Sequence, residues 1–175
     1  MKTRKPQGLD FIVDRLTNSI TNRITGDSFL TEITMLSESD IKSLSVRKGW
    51  LFNWKQEFSE MEKEVYKLTI FHNPTIIQGL LSLSIKSDHV FMNLIESAKF
   101  NRGDERMYEG VAGNLVAFAC RLSFQRGFEG FVAFHAKSQL IEHYSKKLKA
   151  KHFGNLLMVI DTVAASELVE RYFKN

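Results

Sequence analysis

Apolar positions along the chain recur with two different periods, and the changes of period mark the elements. Leu9, Ile12, Val13, Leu16 and Ile20 share one helical face, so the spacing predicts an amphipathic packing helix from Gly8 to about Asn22, closed by a turn at Gly26-Asp27. Phe29 to Met35 is rich in β-formers and reads as a strand. Ser37 follows as the cap of a short helix through Leu44, with Asp40 placed to complete a capping box. Trp50, Phe52, Trp54 and Phe58 make the densest aromatic cluster, Val65 to Phe71 returns to a strand pattern, and Pro74 marks a turn. Ile76 to Ile85 and His89 to Glu96 are long apolar stretches on either side of Lys86-Ser87-Asp88, which predicts a β-hairpin.

The polar loop from Lys99 to Glu109 has no hydrophobic period. The clearest helix comes next, from Gly110 to Arg126, with Val111, Leu115, Phe118, Ala119 and Leu122 apolar. Arg121 and Arg126 sit toward its negative end, and Gly127 is placed to close it ahead of Phe128. Phe131 to Ala136 reads as a short buried strand. A helix from Ser138 to about Lys151 carries Leu140, Ile141, Tyr144 and Leu148 on one face. Leu156 to Ile160 is a last strand, and Asp161 caps a terminal helix to about Phe173. There is no repeat, low-complexity segment or interior linker. Strands and helices in this order around an antiparallel hairpin predict a mixed α/β fold.

Composition narrows the class. With 175 residues, 43% hydrophobic and 25% charged, the chain can fill one good core but is short for two, which predicts one compact domain and excludes a collagen or a disordered tail. The sole cysteine, Cys120, excludes an internal disulfide framework and a cysteine zinc site and fits a reducing compartment. Placed mid-helix among Phe118, Ala119 and Leu122, it reads as a buried, inert thiol. Met1 to Lys5 is basic, but the apolar residues Phe11, Ile12 and Val13 are cut short by Asp14 and Arg15, so no signal-peptide core forms. The longest apolar run, Leu156 to Ile160, is far below the roughly 20 residues that span a bilayer. The expectation is a soluble cytoplasmic protein without a membrane partner. The net charge of +4 is unevenly spread: Asp27 to Ala98 holds 7 basic and 10 acidic residues, whereas Lys99 to Lys151 holds 10 and 5. The second stretch suits an anion and the first a cation; a set of solvated lysines would read the same way.

Gly110-Val111-Ala112-Gly113-Asn114-Leu115 puts residues with little or no side chain on the first turn of a helix. The unpaired N–H groups there, with the positive end of the helix dipole, bind phosphate when no side chain blocks the approach. The spacing is neither a Walker loop nor G-x-G-x-x-G, and small residues equally let a helix lie close on a sheet. From about Ile76 to Phe153 the order is hairpin, polar loop, small-residue helix, Arg-Gly-Phe turn, short strand, and a helix containing His143-Tyr144-Ser145-Lys146-Lys147-Leu148. This stretch resembles the GNAT superfamily of N-acetyltransferases. Gly110 and Ala112 match the Gly-x-Gly/Ala of its pyrophosphate motif, and Tyr144 and Lys146 match its Tyr-x-Lys. The chain departs from the family pattern at Met107, where Arg or Gln is usual and Arg102 or Arg106 could substitute, and at Lys137, Leu140 and Lys149.

The resemblance implies a mixed, mostly antiparallel central sheet flanked by helices, with an N-terminal helix over residues 1–26 and a C-terminal helix as additions. It divides the chain into an acceptor-side half over 27–98, an acetyl-CoA half over 99–151, and a last strand and helix over 152–175. It implies acetyl-CoA as co-substrate, its pyrophosphate held along Met107, Tyr108, Gly110, Val111, Ala112, Gly113 and Asn114, with Arg102, Arg106, Lys137 and Lys146 as further contacts. An amine acceptor, cationic by the charge distribution, would attack the thioester directly. The phenol of Tyr144, with an ordinary pKa near 10 against roughly 8.5 for a thiol, would protonate the departing thiolate, and Glu96 would act as base. Plainer readings stand beside these: Tyr144 as a core residue, Glu96 as an edge-strand carboxylate in water, and the aromatics from Trp50 to Phe58 as core rather than the floor of an acceptor cleft. His89, His135 and His143 lack paired metal-ligand spacing, so no metal is expected. The rival to an enzyme is a noncatalytic GNAT-like module that binds acyl-CoA or a protein, and a homodimer fits either reading. Nucleic acid, contacted by Lys137, Lys146, Lys147, Lys149 and Lys151, is not the expected partner.

Overall fold

The computed structural model describes residues 8–16 and 19–173; the basic start, Met1 to Lys5, lies outside them. In chain order the elements are β1 (Ile20–Asn22), β2 (Ser28–Phe29), β3 (Thr31–Met35), α1 (Glu38–Ile41), α2 (Trp54–Ser59), β4 (Lys63–Ile70), β5 (Gly79–Ile85) and β6 (Val90–Ser97). They continue as β7 (Tyr108–Glu109), α3 (Val111–Gln125), β8 (Val132–His135), α4 (Ile141–Lys147), β9 (Lys151–His152), β10 (Leu157–Ile160) and α5 (Thr162–Tyr172). The main sheet runs β3-β4-β5-β6-β8-β10-β9, and β2-β1-β7 form a small second sheet. Within the main sheet β6 and β8 are parallel and the other pairs antiparallel.

The local signals explain much of this. Ser37 accepts from the Asp40 N–H while the Asp40 carboxylate accepts from the Ser37 N–H, so the capping box starts α1. Asp161 caps α5 by accepting from the Ala164 N–H. β5 is buried along nearly its whole length because both of its faces are covered. α3 packs on β5, β6 and β8. On the opposite face Lys67 reaches Asp40 of α1 at 2.9 Å, and the Trp54 indole of α2 reaches Glu96 at 2.8 Å.

Two irregularities in the sheet create a groove. The register between β5 and β6 shifts after Ser82, pairing Ser82 with Leu94 but Leu83 with Met92. Asn93 is thus the extra residue of a β-bulge, and its amide turns to Ser84 at 2.9 Å. The parallel pairing of β6 with β8 covers only Val90 with Val132 and Phe91 with Ala133. Beyond these two pairs the strands part.

Two expectations are corrected. Residues 8–22 do not form an amphipathic helix: the described part runs extended, with Leu9, Phe11 and Val13 buried, Ile12 56% exposed, and Ile20 in β1. A period of two is present in the same residues that suggest a helix, and Leu9 pairs its backbone with His135 and Lys137 at the end of β8 rather than within its own segment. The helix predicted from Ser138 to Lys151 is shorter, a 3-10 turn over Ser138–Leu140 followed by α4, and Lys151 opens β9.

Gly113 fits α3 against α5. A Cβ there would lie 2.0 Å from the Tyr172 hydroxyl and 2.7 Å from its ring carbon. Gly113→Ala is expected to lower stability by about 1–2 kcal/mol, the overpacking outweighing the helix-propensity gain of alanine. In urea unfolding the midpoint should fall, and Tyr172→Phe added to it should recover part of the loss. A midpoint at or above the parent's would show that α5 does not press on this glycine.

Candidate functional site

Where β6 and β8 separate, the N-terminal segment enters. Leu9 forms a parallel bridge with Ala136. Its N–H donates to the His135 carbonyl at 2.7 Å, and its carbonyl accepts from the Lys137 N–H at 3.0 Å. The segment takes over the edge of β8 that β6 has left. Phe11 stacks on Tyr144 with ring centroids 4.6 Å apart and tilts against Phe134 at 5.8 Å. The Val13 N–H donates to His143 Nε2 at 3.0 Å. Across from the segment lie Ile95, Glu96 and Ser97 of β6, and the cavity between them, about 660 Å³, is also lined by Phe52, Arg102 and Arg106.

The segment ends at the start of α3. Gly110 is the N-cap in the left-handed region, φ 92°, and no side chain of its own caps the helix. Asp14 does so from outside: its carboxylate accepts from the Gly110 N–H at 3.2 Å and from Arg106 Nε at 3.0 Å. Arg106 also holds Glu109 at 3.1 Å. A backbone N–H, a guanidinium and the positive end of a 15-residue helix therefore converge on one anion, which is the donor set that fits a phosphate oxygen. In this structure the anion is the carboxylate of Asp14.

The other residues expected to hold phosphate are distributed more widely. Val111, Ala112 and Asn114 are buried, and the absent side chain of Gly113 makes room for Tyr172. Met107 is half exposed and its backbone pairs with Phe100 and Arg23; Tyr108 meets Phe29 edge-on. Arg102 turns away from the α3 start to the Gly49 carbonyl at 2.6 Å and to Glu96 at 3.4 Å. Lys137 pairs with Asp10 at 2.9 Å, and Lys146 bridges Glu142 on the surface of α4. Lys149 and Lys151 pair with Glu167 and Asp161, so much of the basic excess of residues 99–151 is compensated in place.

Tyr144 is fully buried, and its hydroxyl donates to the carbonyls of Phe11 at 2.8 Å and Leu9 at 3.2 Å. Burial pushes its pKa above the ordinary value, with Asp10 adding to the effect. In this arrangement the phenol proton is engaged beneath the segment and is not presented to the cavity, as protonation of a thiolate would require. Glu96 is buried too, not an edge carboxylate in water. It accepts from the N–H groups of Leu51 at 2.7 Å and Phe52 at 3.3 Å and from the Trp54 indole. Burial raises its pKa and these donors oppose the rise. Glu96 thus ties the aromatic loop to β6 while lining the cavity. Trp50 and Trp54 are core, and Phe52 alone of the cluster lines the cavity. Cys120 is buried, and burial raises its pKa, as an inert thiol requires. Among the described residues no group of His, Cys, Asp or Glu could hold a metal ion.

Asp14 and His143 were not legible as site residues from sequence. Asp14 falls inside the apparent helical period of residues 9–20, and a lone histidine on α4 carries no signal of its own. The alternation Leu9, Phe11, Val13 was the available clue.

The sequence matches no protein-family model and no curated protein. Solved structures do match. The ribosomal-protein-S18-alanine N-acetyltransferase of Escherichia coli superposes with a TM-score of 0.52 at 11% identity, over 75% of this chain and 95% of that one. A mutant form of the spermidine/spermine N-acetyltransferase SpeG of Vibrio cholerae gives 0.54 at 13% identity, over 78% and 98%. The toxin AtaT, bound to the C-terminus of its antitoxin AtaR and to acetyl-CoA, gives 0.55 at 13%, over 83% and 99%. The chain has the fold of the GNAT acetyltransferases. No helix among the described residues is long and apolar enough to cross a membrane.

His143 supplies a titration test. Burial, with Lys147 adding, holds its pKa below the ordinary 6.5, so as pH falls through the window beneath 6.5 the unfolded chain takes up a proton before the folded one does. Its contribution to stability is therefore present near neutrality and declines on acidification. NMR should place its midpoint below 6.5. The fall in urea midpoint between about pH 7.5 and about pH 5.5 should shrink in His143→Gln. An ordinary or raised midpoint would contradict the bond to the Val13 N–H.

Proposed function

We propose that this chain is an acyltransferase that binds acetyl-CoA with its phosphates at the start of α3 and transfers the acetyl group to an amine. The observation that carries the reading is the convergence of the Gly110 N–H, Arg106 and the positive end of α3 on a single anion beside the opening between β6 and β8. The shared fold supports it, since the SpeG and S18-alanine proteins it resembles are N-acetyltransferases and the AtaT structure contains acetyl-CoA. Acetyl-CoA would bring the thioester that a neutral amine attacks directly. The chain's residues would hold and orient: Arg106 and the α3 amides the phosphates, Glu96 and Asp104 beside the cavity a cationic acceptor. Glu96, with its pKa raised, is the candidate to accept the amine proton, and Tyr144 would protonate the thiolate once its hydroxyl is released from the Phe11 and Leu9 carbonyls.

A second reading, a noncatalytic acyl-CoA-binding or interaction module, is favoured by one observation: the Tyr144 hydroxyl is committed to backbone carbonyls. The two readings share the phosphate site and differ in the tyrosine.

Calorimetry with acetyl-CoA tests what they share. The parent should bind, and Gly110→Val should weaken binding at least about tenfold, because a branched side chain at a left-handed position displaces the amides that face the phosphates. A folded variant that binds as tightly as the parent would place the phosphates elsewhere.

Tyr144→Phe separates the readings. A general acid is worth about 10²- to 10⁴-fold, so the enzyme reading expects turnover, followed by thiol release across a panel of polyamines, amino acids and lysine peptides, to fall at least about 10²-fold with acetyl-CoA affinity unchanged. Turnover equal to the parent's would remove Tyr144 from the chemical step. Acetyl-CoA binding without thiol release from any amine would favour the noncatalytic module.

A further inference from the structure

We propose that residues 9–14 are an autoinhibitory strap: the segment lies in the opening between β6 and β8, docked on the β8 side with a cavity left toward β6, and sets the Asp14 carboxylate on the start of α3, so that it competes with acyl-CoA for the same donors. The inference rests on the reading of the α3 start as the acyl-CoA phosphate site.

The strap is bound as a ligand would be. One end pairs its backbone with the free edge of β8 through Leu9, the peptide-in-groove mode in which main-chain bonds give affinity and alternate side chains give register. Leu9, Phe11 and Val13 are the buried anchors. The other end is ionic, Asp14 on Arg106 and the Gly110 N–H. An anionic ligand can displace that carboxylate only by binding the same guanidinium and amide, so occupancy of the two is mutually exclusive at these atoms.

One movement would then have two consequences. Withdrawal of the strap exposes the Gly110 N–H and Arg106, and it removes the two carbonyls that hold the Tyr144 hydroxyl. The anion site and the candidate acid are unmasked together. While the strap is docked, the apparent affinity for acyl-CoA is reduced by the fraction of molecules in which it is open.

The test is hydrogen exchange on the full chain with and without saturating acetyl-CoA, joined to calorimetry on the parent, Asp14→Ala and Phe11→Ala. The Leu9 and Val13 amides, which donate to the His135 carbonyl and to His143, are expected to be protected in the free protein and to lose protection when acetyl-CoA binds. Both variants are expected to bind acetyl-CoA at least about tenfold more tightly than the parent. Asp14→Ala alone could gain from removing a negative charge. Phe11→Ala controls for this, because Phe11 packs on Phe134 and Tyr144 and its loss changes no charge. If Phe11→Ala does not fold, Phe11→Leu takes its place. Bound acetyl-CoA that leaves the protection of residues 9–13 unchanged or raised would overturn the strap and leave the phosphate site standing, as would a folded Phe11 variant with parental affinity. Failure of the parent and of every variant to bind acetyl-CoA would overturn the phosphate site, and the strap with it.

Discussion

The structure depends on a limit to strand pairing: β6 and β8 run side by side for two residue pairs and then separate. Past that point each strand has an edge of backbone groups inside the protein, and buried N–H and C=O groups must find partners. The bulge at Asn93, of a kind that bends a strand, lies two residues beyond the last of these pairs, Phe91 with Ala133. Leu9 meets part of that demand at the end of β8 through a single parallel bridge to Ala136.

The same economy appears at the α3 start. A helix of 15 residues beginning at a left-handed glycine has no cap within its own sequence and presents unpaired donors and a positive dipole end. Asp14 offsets that end, and its carboxylate is shared with the Arg106 guanidinium. Arg106 then has carboxylates on two sides, Asp14 and Glu109. The start of α3 thus holds a carboxylate from the far end of the chain.

Charge elsewhere follows local pairing rather than regional totals. Lys137, Lys146, Lys149 and Lys151 each meet a carboxylate, and exposed pairs of this kind contribute little to stability while cancelling much of the field that a count along the chain suggests. The cavity between β6 and the segment is lined by charges of both signs, among them Glu96, Asp104, Arg102 and Lys147.

The sequence by itself determined the elements with strong local signals and their order. The capping box at Ser37, the hairpin of β5 and β6, the long apolar helix α3 and the Asp161 cap of α5 all rest on neighbours within a few residues, and the small residues at Gly110 and the Tyr144 helix carried the family resemblance. Only the tertiary structure decided the conformation of residues 8–16 and the roles that depend on it. Leu9, Ile12, Val13 and Leu16 suit a helix, but Leu9, Phe11 and Val13 suit a strand equally well, and the free edge of β8, more than 120 residues along the chain, settles between them. Tyr144 and Glu96 followed the same rule. Their residue types suit acid and base chemistry, yet whether a hydroxyl or a carboxylate is free to react depends on which distant backbone groups reach it, and no local pattern records that.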